Sequence, residues 1–165
     1  MLCKANLNKM VYLCTMIYKL NLPEYDLQLR IENQQKQVFD PLRRCWVALT
    51  PEEWVRQQMF HHLTETLGYP ASRMSHEHGI TYNNLKKRCD GVVYAQDGLP
   101  QVIMEYKAPT VNITQKVFDQ IAIYNLQLNV PYLLISNGLQ HFFCKIDFEQ
   151  KRYIFAREIL PYSEL

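Results

Sequence analysis

No Cys-x-x-Cys, no glycine-rich linker, no membrane-length apolar run and no strong charge of either sign occur in this chain. The five cysteines, Cys3, Cys14, Cys45, Cys89 and Cys144, are odd in number and scattered. That argues against a disulfide frame and against zinc, and reduced thiols in a cytoplasmic protein are expected. His76-Glu77-His78 sets two imidazoles at alternate residues, which on a strand make a polar face more readily than a metal site. A net charge of +2 is too small to argue for a nucleic-acid partner by itself. The apolar stretch Met10 to Tyr18 is too short to span a bilayer and lacks a signal-peptide cleavage pattern, so neither secretion nor a membrane is expected. Residues 1–20 are read as an extension, with Met16 the expected working start. A native N-terminus mapped at Met1 would overturn that start.

What is present is an ordinary globule, 48% apolar and 21% charged, with no internal repeats and enough length for one domain with a real core. That domain is expected over 21–165, as a small N-terminal β-hairpin (21–45) and a core (46–165). Asp26 to Ile31 alternates strictly as a strand does, Gln37-Val38-Phe39 reads as its return, and Cys45 to Ala48 as a further strand. Thr50-Pro51-Glu52-Glu53 is a helix start, with Thr50 as N-cap, Pro51 in the first turn and Glu53 placed for a capping box. That helix should run to Leu67 and stop at Gly68. Strands follow over 73–80, 88–95 and 101–108, then a helix over 113–128. Pro131 to Ser136 reads as a buried strand, and 141–146 with 152–156 as a final hairpin.

The chemistry sits in three segments: Arg88-Cys89-Asp90-Gly91-Val92-Val93-Tyr94, the turn Asp97-Gly98, and Val102-Ile103-Met104-Glu105-Tyr106-Lys107-Ala108. Asp97-Gly98 between two apolar runs predicts a hairpin. Side chains alternate along a strand, so Glu105 and Lys107 share a face, and the hairpin can bring Asp90 beside them. Two carboxylates and an ammonium on an apolar sheet need compensation, and a divalent metal supplies it. Asp90 and Glu105 are therefore candidate ligands for Mg²⁺, with Mn²⁺ as a substitute and the peptide carbonyl of Tyr106 as a further ligand. Such an ion activates water and neutralises phosphate charge, while Lys107 positions that water or offsets developing charge.

The following segment, Thr114 to Leu128, carries apolar residues at helical spacing and sets Gln120 and Tyr124 four apart on one face. The composite Asp, Glu-x-Lys, then Gln-x-x-x-Tyr resembles the PD-(D/E)XK nuclease superfamily. Its nearest likeness is the N-terminal nuclease domain of type I restriction enzyme R subunits. Leu49 to Gln57, Gly68-Tyr69-Pro70, Lys87 to Asp90, Glu105 to Pro109 and Ser136-Asn137-Gly138 fit that domain, so the resemblance covers about residues 46 to 145. It implies an α/β fold with a central mixed sheet flanked by helices, and a metal-dependent DNA nuclease core. It also implies that Gln120 orients a ligand or contacts phosphate, that Tyr124 packs or touches the backbone, and that Glu53 brings an acid near the metal. Cys89 stands where the name-giving proline would be. No Gly-x-x-x-x-Gly-Lys-[Ser/Thr] loop is present, so these residues carry no motor of the kind that moves along DNA.

Lys86-Lys87-Arg88 leads directly into Asp90 and is a candidate for holding a phosphate backbone without reading bases. The expected partner is DNA, bound mainly through its backbone, with other proteins supplying specificity or a motor. Two alternatives stand beside an active endonuclease. One is a catalytically silent nuclease fold used for nucleic-acid or partner binding. The other is an unrelated α/β protein whose Glu-x-Lys is a surface pair.

Overall fold

A computed structural model describes residues 18–82, 85–119, 125 and 129–165, with side chains described except over residues 77–88. Two sheets and a helix that packs on the larger sheet organise the chain. The smaller sheet holds β1 (Leu29–Glu32), β2 (Gln35–Asp40) and β3 (Cys45–Ala48), all antiparallel in the order β1-β2-β3. The tight β1–β2 turn requires positive φ at Asn33 (48°) and Gln34 (63°). The hairpin expected over 21–45 thus gains a third strand, because Trp46 pairs opposite Phe39 and their rings meet edge to face. The domain also starts earlier than 21. Leu20 is buried in the main core, Asn21 N–H donates to the Gly138 carbonyl, and Trp54 Nε1 donates to the Tyr18 carbonyl.

Helix α1 (Pro51–His61) begins as expected, with Thr50 Oγ1 accepting the Glu53 N–H at 3.0 Å. The capping box is only half made: the Thr50 N–H bonds to Ala48 instead, and the Glu53 carboxylate is used elsewhere. After His61 the helix widens into a π-turn over His62–Thr66, and Gly68 ends it with φ of 70°. Val55, Met59 and Leu63 present one apolar stripe to the large sheet and are fully buried.

The large sheet has the order β4 (Met74–Tyr82), β5 (Leu85–Tyr94), β6 (Pro100–Tyr106), β7 (Tyr132–Ser136), β8 (His141–Asp147) and β9 (Arg152–Phe155). Only the β6–β7 pair is parallel, so the sheet is mixed. Val102, Met104, Tyr106 and Leu134 pack toward α1 in one core cluster. Ile103, Leu133 and Ile135 form the other face with Phe118. Phe118 belongs to the helical residues 115–119, where Thr114 caps the start through the Val117 N–H. The sheet is therefore covered on both faces, as a parallel pair at its centre requires. β4 and β5 run longer than their hydrophobic pattern suggests. Gly79↔Arg88 through Tyr82↔Leu85 extend the hairpin beyond β6, whose described pairing with β5 begins at Gly91.

Candidate active site

The hairpin brings the expected residues together. β5 and β6 pair at Gly91↔Met104, and the next position along is Asp90 beside Glu105. Gly91 has no room for a side chain, because a Cβ there would lie 2.6 Å from the Met104 Cε. Asp90 Oδ2 accepts the Tyr106 N–H at 2.7 Å, and Oδ1 accepts Nη2 of Arg56 at 3.0 Å. Lys107 Nζ donates to Glu105 Oε1 at 2.8 Å. Asp90, Glu105 and Lys107 keep 21%, 20% and 28% of their side chains exposed, so the cluster is reachable from solvent.

The electrostatics follow from this crowding. Burial first, then the Asp90 charge, pushes the Glu105 carboxyl above its ordinary range, although Lys107 pulls the other way. Burial would lower the Lys107 pKa, but its bond to Glu105 and the Asp90 and Glu52 charges win, so the ammonium is held more firmly protonated. Paired this way, Lys107 is a cation at neutral pH. Burial and then the Glu105 charge push the Cys89 thiol up to about 12, which removes it as a nucleophile.

The two acids at the start of α1 stand in different surroundings. Glu53 is buried and committed: Oε1 accepts from Arg43 at 2.7 Å and Gln57 at 2.8 Å, and Oε2 accepts from Arg56 at 2.7 Å. Glu52, one residue earlier, is the acid whose charge interacts with Asp90, Lys107 and Glu105, with burial and Asp90 raising its pKa. The sequence signal was the spacing, since Arg56 lies three residues from Glu53 and four from Glu52. The Tyr106 ring is fully buried, with its hydroxyl on the Met104 sulfur at 3.3 Å, so this residue offers the site only its backbone.

Other expected residues are placed less fully. Lys86, Lys87 and Arg88 lie on β5 in the extended hairpin, and their side chains fall outside the described residues. Gln120 and Tyr124 also lie outside the described residues. His76 is buried against Asp40, with Nδ1 2.9 Å from Oδ2, and the side chains of Glu77 and His78 fall outside the described residues.

The donor set suits a hard cation. Two adjacent carboxylates of which one already resists ionisation are relieved by a divalent ion, and oxygen donors select Mg²⁺ over softer metals. Among the described residues no group of three His, Cys, Asp or Glu forms a ready ligand set. An ion held by the Asp90–Glu105 pair would complete its shell with water and phosphate oxygens, as Mg²⁺ characteristically does.

Comparison with known proteins gives concordant results. The model of the family described as type I restriction enzyme R protein N terminus (HSDR_N) matches residues 51–160. Among solved structures, the chain is similar to a fragment assigned as the HsdR subunit of a type I restriction enzyme from Vibrio vulnificus YJ016. The TM-score is 0.52 at 18% identity, covering 71% of this chain and 24% of that one. The chain thus spans about a quarter of that protein, and the likeness establishes the fold. Among curated proteins none matches significantly. No helix among the described residues is long and apolar enough to cross a membrane.

Proposed function

The chain belongs to the family of type I restriction enzyme R protein N-terminal domains, and from that premise we propose that it is a Mg²⁺-dependent DNA endonuclease module hydrolysing phosphodiester bonds. The observation that carries this reading is the meeting of Asp90, Glu105 and the Lys107–Glu105 ion pair at the end of the β5–β6 ladder. Asp90 and Glu105 would hold the ion, with the peptide carbonyl of Tyr106 as a further oxygen, and Glu52 would be the acid on α1 whose charge bears on both. An ion bound there would lower the pKa of water at the site and offset charge on the phosphate. Lys107 holds the attacking water or offsets charge on the phosphate, a role its firm protonation suits. Gln120 would orient a ligand or touch the phosphate, and Tyr124 would pack beside it. Lys86, Lys87 and Arg88 would grip the DNA backbone without reading sequence, leaving specificity and any motor to partner proteins.

One observation favours a second reading, a catalytically silent module that binds nucleic acid or a partner. The Arg56 guanidinium already stands on Asp90 Oδ1, so a cation of the chain itself compensates that carboxylate. A plasmid-nicking assay with Mg²⁺ separates the two. Cleavage that vanishes in Asp90→Ala and Lys107→Ala supports the nuclease. Salt-sensitive DNA binding with no cleavage by the wild type supports the silent module.

A further inference from the structure

Asp90 is the last link of a buried ladder of alternating charges that starts in the small sheet. Asp40 ends β2 with its side chain fully buried. Its Oδ1 accepts the N–H groups of Leu42 (2.8 Å) and Arg43 (3.0 Å). Its Oδ2 meets His76 Nδ1 and Arg43 Nε. These bonds fix the β2–β3 turn and aim the Arg43 fork at α1, where Nη2 donates to Glu53 Oε1 at 2.7 Å. Glu53 Oε2 holds Arg56 Nη1 at 2.7 Å, and Arg56 Nη2 holds Asp90 Oδ1 at 3.0 Å. The side chains of Arg56 and Glu53 are only 6% and 8% exposed, so solvent is a poor substitute for a missing partner at that central link.

A guanidinium is a rigid planar fork, so a base fixed by Glu53 leaves its other arm little choice of direction. With the Tyr106 N–H on the other oxygen, Asp90 is clamped at both ends. We propose that Arg56, steered by Arg43 through Glu53, is a positioning residue that sets the Asp90 carboxylate for metal binding. The small sheet is then part of the functional unit, although the family match begins only at residue 51. This inference rests on the nuclease reading for its purpose. Its geometry can be tested apart from it.

The test uses the full chain and the variants Arg56→Lys, which keeps the charge and loses the fork, Arg43→Ala, and the double variant. Hydrogen exchange of the Tyr106 amide, followed by NMR without metal, reports the Asp90 clamp. Calorimetric Mn²⁺ titration reports the consequence. Each single variant should speed Tyr106 exchange and weaken Mn²⁺ binding about tenfold or more, the range for groups that support metal ligands. The double variant should lose less than the product of the two, since both act through one chain. A merely structural role would lower the melting temperature and leave the Mn²⁺ affinity of folded protein unchanged in all three variants. Wild-type Tyr106 exchange and Mn²⁺ affinity in folded single variants overturn the proposal. A wild type that binds no Mn²⁺ even with a cleavage-resistant duplex present, while Tyr106 still responds to Arg43→Ala, leaves the ladder standing and sinks the nuclease reading. Should Arg43→Ala not fold, Arg43→Lys is measured in its place, since an ammonium cannot fork between Asp40 and Glu53.

Discussion

Glu53→Gln should be the most damaging isosteric change in α1. Glu53 accepts three hydrogen bonds, from Arg43, Arg56 and Gln57, at 2.7 to 2.8 Å. Glutamine keeps the volume but removes the charge between two guanidiniums, and its amide end has no donor-free face to offer one of them. Removing one partner of a buried ion pair costs about 3–5 kcal/mol, because the remaining charges stay desolvated. For a chain of this size each kcal/mol moves the melting temperature by about 2–4 °C, so a fall of roughly 6–20 °C is expected. Thermal unfolding followed by circular dichroism at neutral pH measures it. Glu32→Gln is the control, because its pair with Arg30 is 49% and 37% exposed and should change stability by less than about 0.5 kcal/mol. A Glu53→Gln protein that melts within about 2 °C of the wild type would refute the idea that this ladder is a tight, water-excluded network.

Three further outcomes are expected. In metal-free protein Glu105→Gln should raise the melting temperature at neutral pH, because burial and Asp90 disfavour the ionised acid. The sign follows from linkage: between the ordinary value of 4.5 and its raised value the folded chain keeps a proton the unfolded chain has lost. Stability contributed at this site therefore falls as pH rises through that window, and pH-dependent melting should show a weaker fall in the variant; a strong loss of stability would count against a paired metal site. Lys107→Ala should cut turnover by orders of magnitude while changing Mn²⁺ affinity only slightly, as steady-state nicking and calorimetry together would show. Replacing Lys86, Lys87 and Arg88 with alanine should weaken binding equally to unrelated duplexes and reduce the salt slope by about 0.9 for each phosphate left without its cation. An unchanged slope would remove the hairpin from the DNA path.

The hairpin and the approach of Asp90 to Glu105 were legible because local rules carry them. Asp97-Gly98 supplies the turn, Gly98 takes its φ of 81°, and strand alternation does the rest. Thr50 and Pro51 likewise declare the start of α1 through their own chemistry. The full length of the β4–β5 hairpin was not legible, because backbone pairing carries Lys86 and Lys87 as strand where the sequence pattern starts the strand only at Arg88. Nor was the division of labour between Glu52 and Glu53. Both fit an acidic first turn, and what separates them is Arg43, ten residues from Glu53 and brought close by the turn after β2. A partner supplied by another element leaves no periodic trace. The third strand of the small sheet was visible as a strand, yet its allegiance to β2 depends on Trp46 meeting Phe39.

The most direct measurement is a calorimetric titration of Mg²⁺ and Mn²⁺ into the wild type and Asp90→Ala, alone and with a phosphorothioate duplex that resists cleavage. The account predicts saturable heat in the wild type, stronger with the duplex present, and none in the variant under either condition. Equal heats in the two proteins, or none in the wild type even with the duplex, would contradict a metal site at Asp90.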